Sequence, residues 1–224
     1  MDAKAAAPGR IEVISDAICP WCWIGKRHLD RALPELAAQG LAFTVGWRPF
    51  QLNPAMPAGG ADRAEYRRQK FGSRLRAREA DDQVAKAGAA VGLTFRHDLM
   101  RRTPNTVDAH RVIRLAGRYG VQGAVVEALF RGYFTQGADI GDAATLAAIA
   151  GDAGLDPQLV ASMLAGDNER EDVLAEDQSA RSAGIDGVPA FVMGPYVLFT
   201  GAVPTDVMVE AFAKAWKVIR AEAV

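Results

Sequence analysis

Residues 11–22 read IEVISDAICPWC and contain both cysteines of the 224-residue chain. The apolar run at residues 11–14 predicts a strand, and Pro20 suits the first turn of a helix, where its missing N–H is not needed. Unpaired N–H groups and the dipole at a helix N-terminus favour the thiolate form of Cys19. A Cys-x-x-Cys pair in this context is typical of redox sites. We therefore predict Cys19 as a nucleophile and Cys22, one turn further in, as the resolving thiol.

The pattern on both sides of this stretch predicts an α/β fold. A helix follows the cysteines, and a second strand over residues 41–47 comes after it. The sequence is then helical to about residue 166. Two short apolar runs, at residues 189–193 and 197–200, indicate a β-hairpin, and an amphipathic helix closes the chain. The order is therefore βαβ, a block of helices, and ββα.

This order predicts a small α/β domain that is interrupted by an all-α helical insertion. The α/β domain is expected at residues 10–60 and 168–220, and the insertion at residues 61–167.

Composition excludes several classes of protein. Half of the chain is hydrophobic and the net charge is -1, which excludes a disordered protein. The 26 basic and 27 acidic residues leave no basic excess for nucleic-acid binding. Two cysteines so close together cannot form a disulfide framework. We expect a cytoplasmic protein without membrane contact, because there is no long apolar stretch and no apolar signal-peptide core.

Two less reactive interpretations of the cysteine pair are open. A structural zinc site needs four ligands, and the three histidines, His28, His97 and His110, are not spaced to complete one. Two inert buried cysteines are equally disfavoured, because the pair stands behind a strand and opens a helix. The sequence therefore predicts redox chemistry and no metal site.

A proline near the C-terminal hairpin is the second candidate feature. Val188 and Pro189 lie just before a predicted strand. If their peptide bond is cis, the backbone of Val188 can face the cysteine pair and bind an extended peptide or a thiol substrate. The alternative is an ordinary trans proline in a turn, since only about one X–Pro bond in twenty is cis.

Several other residues have both a structural and a functional interpretation. Asp16, three residues before Cys19, is a candidate proton acceptor for the buried thiol, but capping of the loop is favoured. His110 on a predicted helix is more often structural than catalytic. Trp21 and Trp23 are candidates for an apolar substrate groove, and packing beneath the site is equally plausible for Trp23.

Residues 63–78 contain seven basic side chains and few acidic ones. Such a run is usually a solvated helix face, and docking of an anionic partner is the functional alternative.

Taken together, these motifs resemble the DsbA-like thioredoxin-fold oxidoreductases, and most closely the FrnE-like branch. The resemblance covers residues 10–220 and rests on motifs in the family's order. These are Asp16, Cys19-Pro-Trp-Cys22, Phe50-Gln-Leu-Asn-Pro54, Asn105-Thr106, Ala109-His110, Leu129-Phe-Arg-Gly-Tyr-Phe134, Gly187-Val-Pro189 and Gly201-Ala-Val-Pro204.

The resemblance implies a thioredoxin fold with a helical insertion and a cis peptide bond at Pro189. It also implies thiol–disulfide exchange by Cys19 and Cys22, with Pro20, Trp21, Val188 and Pro189 at the substrate. The substrate would be a protein or small molecule that carries a thiol or disulfide. The only redox group implied is the disulfide between the two cysteines, with glutathione as a candidate co-substrate.

One departure from the family concerns redox potential. DsbA has a histidine where Trp21 stands, and tryptophan cannot supply a positive charge. We therefore expect a less oxidising pair than that of DsbA.

Two other functions remain open at the level of the sequence. The 2-hydroxychromene-2-carboxylate isomerases and kappa-type glutathione transferases share this architecture but use a serine at the nucleophile position. A binding module that uses the helical insertion to hold a partner is the non-enzymatic alternative.

Overall fold

The chain forms the predicted order of strands and helices. The computed structural model describes residues 8–222. The elements are β1 (Gly9–Ser15), α1 (Pro20–Ala38), β2 (Phe43–Pro49), β3 (Ala61–Asp62), α2 (Arg63–Phe71), α3 (Arg74–Ala90), β4 (Arg102–Thr103), α4 (Val107–Arg118), α5 (Gln122–Gln136), α6 (Ala143–Asp152), α7 (Pro157–Ala165), α8 (Arg170–Ser182), β5 (Ala190–Met193), β6 (Tyr196–Thr200) and α9 (Thr205–Glu222). Within this described part, no helix is both long enough and apolar enough to cross a membrane.

The central sheet has the strand order β2-β1-β5-β6. Strand β1 is parallel to β2 and antiparallel to β5, and β5 is antiparallel to β6. Ile11, Val13 and Ile14 of β1 are almost fully buried, as expected for an inner strand. Val13 lies between Trp47 of β2 and Phe191 of β5, so the first and last parts of the chain share one core.

Helices α1 and α9 pack against each other beside this sheet. Phe212 of α9 is fully buried and contacts the rings of Phe191 and Phe199, with centroid distances of 6.2 and 5.5 Å. Together these elements form the βαβ…ββα arrangement of a thioredoxin-like fold, which confirms the predicted fold class.

The helical insertion lies between β2 and β5. It also contains a strand pair that the sequence pattern did not predict, since β3 and β4 pair antiparallel over two residues each. Two residues per strand are too few to show the alternation of apolar and polar residues that indicates a strand, so the sequence pattern could not predict this pair. The boundaries at residues 60/61 and 167/168 remain a prediction, and α8, just past the second one, packs on both α4 and β2.

An aromatic cluster holds the insertion against α1. Trp23, one residue after Cys22, is stacked with Phe134 at 5.8 Å and with Phe130 at 6.3 Å, and it meets the edge of Phe95 at 5.4 Å. Trp23 is 3% exposed, so packing beneath the site is its role here. The insertion is thereby fixed close to the cysteine pair.

A fully buried arginine ties α4 to the end of α7. Arg111 donates hydrogen bonds to the carbonyl oxygens of Met163 at 2.7 Å, of Asn168 at 2.8 Å and of Gly166. It also donates to the Asp108 carboxylate at 2.8 Å. The last carbonyls of a helix have no partner within the helix, so a cation at this end satisfies them and complements the helix dipole.

We predict that Arg111→Met lowers the free energy of unfolding by about 3 kcal/mol, because it leaves buried carbonyl groups without donors. Urea unfolding followed by tryptophan fluorescence measures the change. Arg78→Met on the exposed face of α3 is the matched control, with an expected change within about 0.5 kcal/mol. Equal losses in the two variants would contradict the prediction.

Candidate active site

The cysteine pair lies where β1 leads into α1. Cys19 is the N-cap residue of α1, with an extended backbone, and Pro20 occupies the first helical turn. The Cys19 N–H donates to the carbonyl oxygen of Asp16 at 2.9 Å, and the Cys22 N–H donates to that of Cys19 at 3.1 Å. This tight turn places both side chains at the N-terminal end of the helix, and both are free thiols.

The two thiols differ in their electrostatic environment. Cys22 is completely buried, and burial raises the pKa of its thiol well above the ordinary value. The neighbouring Cys19 raises this pKa further, while hydrogen bonds involving the Ser15 side chain and the Asp16 backbone lower it by a smaller amount. Cys22 therefore remains protonated at neutral pH, which suits a thiol that reacts second.

Val188 returns to the cysteine pair from the far end of the chain. The Cys19 Sγ atom lies 3.5 Å from the carbonyl oxygen of Val188, which accepts its hydrogen bond. The Val188–Pro189 peptide bond is cis, as the resemblance implies. Pro189 is buried against Gly25 of α1, where a Cβ atom would lie only 3.0 Å from the Pro189 ring. Gly25 therefore permits this close approach, a contact that the sequence analysis missed.

Asp16 holds the loops behind the cysteines together. Its carboxylate is fully buried and accepts a hydrogen bond from the Leu52 N–H at 2.7 Å. The His110 Nε2 atom is 3.4 Å from the same carboxylate and 3.2 Å from the carbonyl oxygen of Phe50. A carbonyl can only accept, so Nε2 carries the proton. Asp16 and His110 thus connect the loops after β1 and β2 to α4, and a proton-accepting role for Asp16 stays a prediction.

A cleft of about 420 Å³ opens beside Cys19. The thioredoxin-like part contributes Cys19, Pro20, Trp21 and Val188 to its lining, and Trp21 is 40% exposed. The remaining predicted site residues, Asp16, Cys22 and Pro189, lie behind this surface and do not line it.

The insertion supplies the opposite wall of the cleft. Its contribution includes Arg63, Tyr66, Arg67, His97 and Tyr133. Burial raises the pKa of Tyr133 and lowers that of His97, so both are neutral at pH 7. Arg63 and Arg67 belong to the basic run at residues 63–78, but helix periodicity alone could not show which members of this run line the cleft.

A larger hollow of about 660 Å³ lies beside α4 and α7, and neither cysteine lines it. Within residues 8–222, no group of three or more histidine, cysteine, aspartate or glutamate side chains is arranged to hold a metal ion.

Two proteins with substantial sequence identity resemble this chain. A probable DsbA oxidoreductase from Streptomyces coelicolor is 31% identical, with a TM-score of 0.84 over 93% of this chain and 90% of its own. An uncharacterized protein of Bacillus subtilis (strain 168), YwbO, is 25% identical over 209 residues, which are 92% of this chain and 97% of its own length.

More distant structures share the fold alone. The cytosolic disulfide reductase DsbM from Pseudomonas aeruginosa is 15% identical, with a TM-score of 0.65 over 94% of this chain and 98% of its own. The same protein with GSH has a TM-score of 0.60. A 2-hydroxychromene-2-carboxylate isomerase is 12% identical, with a TM-score of 0.67 over 96% of this chain and 98% of its own.

The chain matches the sequence pattern of one protein family, the DSBA-like thioredoxin domain, over residues 10–213. The matched range contains both cysteines, the cis proline and the whole insertion between them. The chain therefore belongs to the DSBA-like thioredoxin domain family.

Proposed function

We propose that this chain is a thiol–disulfide oxidoreductase whose reacting groups are Cys19 and Cys22. The position of Cys19 supports the proposal most directly. Its Sγ atom lies at the N-terminal end of α1, on the wall of the cleft and 3.5 Å from the Val188 carbonyl oxygen. An extended peptide or a thiol that pairs with the Val188 backbone would place its own sulfur beside Cys19.

Reduction of a substrate disulfide begins with the Cys19 thiolate. It forms a bond to one substrate sulfur, the substrate S–S bond breaks, and the other sulfur leaves as a thiolate that takes a proton from water. Cys22 then loses its proton to water and attacks the Cys19 sulfur, which releases the second half of the substrate. Two electrons pass from the cysteine pair to the substrate, and either a dithiol or two molecules of glutathione regenerate the pair. Oxidation of a substrate dithiol is the reverse sequence.

The raised pKa of the Cys22 thiol fits these separate steps. Because the pKa of Cys22 is raised, Cys22 does not compete with Cys19 for the incoming disulfide. It becomes the attacking group only when the mixed disulfide at Cys19 lies next to it. Pro20, Trp21, Val188 and Pro189 form the proposed substrate site around this reaction.

We also propose the finer features that the sequence suggested. These are membership of the FrnE-like branch, glutathione as a co-substrate and a cytoplasmic location. The Phe50–Pro54 segment supports the branch, because its Leu52 N–H binds Asp16 and its Asn53 lines the cleft. The GSH in the similar DsbM structure, together with a cleft of small-molecule size, supports glutathione.

A glutathione-dependent isomerase is the second candidate. The overall similarity to the 2-hydroxychromene-2-carboxylate isomerase favours it, and a cleft of about 420 Å³ suits a small ring system. Cys19 at the position where that class uses serine argues against it.

Replacement of the nucleophile is the first test. We predict that Cys19→Ser lowers glutathione-coupled reduction of hydroxyethyl disulfide to the uncatalysed rate, because a hydroxyl is not ionised at neutral pH. With glutathione disulfide and no reduced glutathione, we expect Cys22→Ser to stop after one step and to accumulate a mixed disulfide of Cys19 with glutathione, detectable by mass spectrometry. Circular dichroism should show that both variants are folded.

Retention of disulfide reduction in Cys19→Ser would exclude the proposed function. Isomerisation of 2-hydroxychromene-2-carboxylate by the wild-type protein with glutathione, without disulfide reduction, would favour the second candidate.

The second test concerns the accessibility and charge of Cys22. In Cys19→Ser, we expect the remaining Cys22 to react with iodoacetamide at pH 7.5 at least about tenfold more slowly than free cysteine. The reason is that burial and a raised pKa reduce its thiolate population. The rate at which Cys22 reacts with iodoacetamide should continue to rise above the pH at which the rate for free cysteine becomes constant.

Cys22→Ser, which leaves only Cys19, is the matched variant and should react faster than Cys19→Ser at every pH. Unfolding Cys19→Ser in guanidinium should restore the rate of free cysteine. A folded Cys22 that reacts as fast as free cysteine would contradict the assigned roles.

A further inference from the structure

Helix α2 presents a basic face to the cleft that contains Cys19. Arg63, Arg67 and Lys70 line this cleft, and their spacing of four and three residues places them on one side of the helix. Arg68 of the same helix does not line it. Within the basic run at residues 63–78, Arg63, Arg67 and Lys70 thus line the candidate site, while Arg68 lies outside it.

One carboxylate neutralises only part of this charge. Asp81 accepts from Arg63 Nη2 at 3.1 Å and contacts Arg67 Nη2 at 2.6 Å. The charged lining therefore comprises three basic side chains and one acidic one. His97 adds no charge, since burial and the neighbouring Arg63 and Arg67 lower its pKa. The cleft keeps an excess of two positive charges.

Two buried donors at the cleft have no acceptor. Within residues 8–222, Arg67 Nε and Asn53 Nδ2 are buried and form no hydrogen bond. The Asn53 Oδ1 atom accepts from the Tyr66 hydroxyl, which leaves the NH₂ end of the amide as the free end. Buried donors are normally paired, so unpaired ones beside a cationic surface indicate a missing anionic acceptor.

We propose that the α2 face makes the site selective for thiols and disulfides that carry carboxylate groups, with Arg67 Nε and Asn53 Nδ2 as the donors to those groups. Lys70 and Arg63 contribute the attractive field around them. The proposal rests on the proposed function, because it names the substrate class of the same site. It assigns α2 of the insertion a role in specificity, while Cys19 and Cys22 perform the chemistry.

Three small disulfides that differ in charge test this selectivity. Dithiodipropionate carries two carboxylates, hydroxyethyl disulfide is neutral, and cystamine carries two ammonium groups. Reduction is measured with dithiothreitol as the regenerating dithiol, and each rate is divided by the uncatalysed rate of the same disulfide. For the wild-type protein, we expect the normalised rate to be highest for dithiodipropionate, lower for hydroxyethyl disulfide and lowest for cystamine.

Two variants remove parts of the basic face. Arg67→Gln should lower kcat/KM for dithiodipropionate by about tenfold, through KM, because one charge-assisted hydrogen bond is lost. Lys70→Gln, at an exposed position that tolerates substitution, should give a smaller loss in the same direction. Both variants should lower the ratio of kcat/KM for dithiodipropionate to that for hydroxyethyl disulfide, and both should raise the ratio of kcat/KM for cystamine to that for hydroxyethyl disulfide.

Arg68→Gln is the matched control, because it removes the same charge from the same helix outside the cleft. It should leave all three substrates unchanged. If Arg67→Gln and Lys70→Gln affect all three disulfides equally, or if Arg68→Gln has the same effect as Lys70→Gln, the assigned selectivity is wrong.

Binding of S-methylglutathione separates this proposal from the proposed function, because the probe has no free thiol and undergoes no exchange. Calorimetric titration should show binding that weakens in Arg67→Gln and Lys70→Gln but not in Arg68→Gln. Such binding without any disulfide reduction would refute the proposed function and retain the carboxylate site. Disulfide reduction without charge preference and without such binding would refute the carboxylate site alone.

Discussion

The antiparallel pairing of β1 with β5 determines where the two halves of the candidate site meet. Ile14 pairs with Ala190, so the chain just before β5 arrives beside the turn that follows β1. This register brings the Val188 carbonyl to Cys19 across 169 positions of sequence. A shift of β5 by one residue would exchange the faces on which Ala190 and Phe191 pack, so the packing of these two buried side chains keeps the register fixed. The geometry at the thiol thus depends on packing elsewhere in the sheet.

The insertion converts the exposed end of the sheet into a cleft, and two kinds of contact hold it there. Trp23 packs on the aromatic rings of α5, which buries a large apolar surface directly behind Cys22. The buried pair of Asp16 and His110 connects the turn after β1 to α4. Helix α2, which carries the basic face, packs on α3, β3 and β4 within the same insertion.

Features with local causes could be predicted from the sequence. The helix start at Pro20, the C-terminal hairpin and the capped start of α7, where Asp156 accepts from the Gln158 N–H at 2.8 Å, all depend on neighbouring residues. Features that depend on distant partners could not. Gly25 has no local signature, because its role arises only when Pro189 packs against it. The basic residues of α2 were visible as a run, but their orientation depends on how the insertion docks.

The order of the main elements and the position of two thiols at a helix start could be predicted from the sequence alone. These follow from residue type and short-range spacing, which act before the chain is compact. Only the packed structure shows that both cysteines are buried, that Cys19, at 3% exposure, still lines the cleft beside Val188, and that Arg67 and Lys70 line the same cleft. The physical reason is that burial and electrostatic environment are properties of the packed chain, since both depend on groups far apart in sequence.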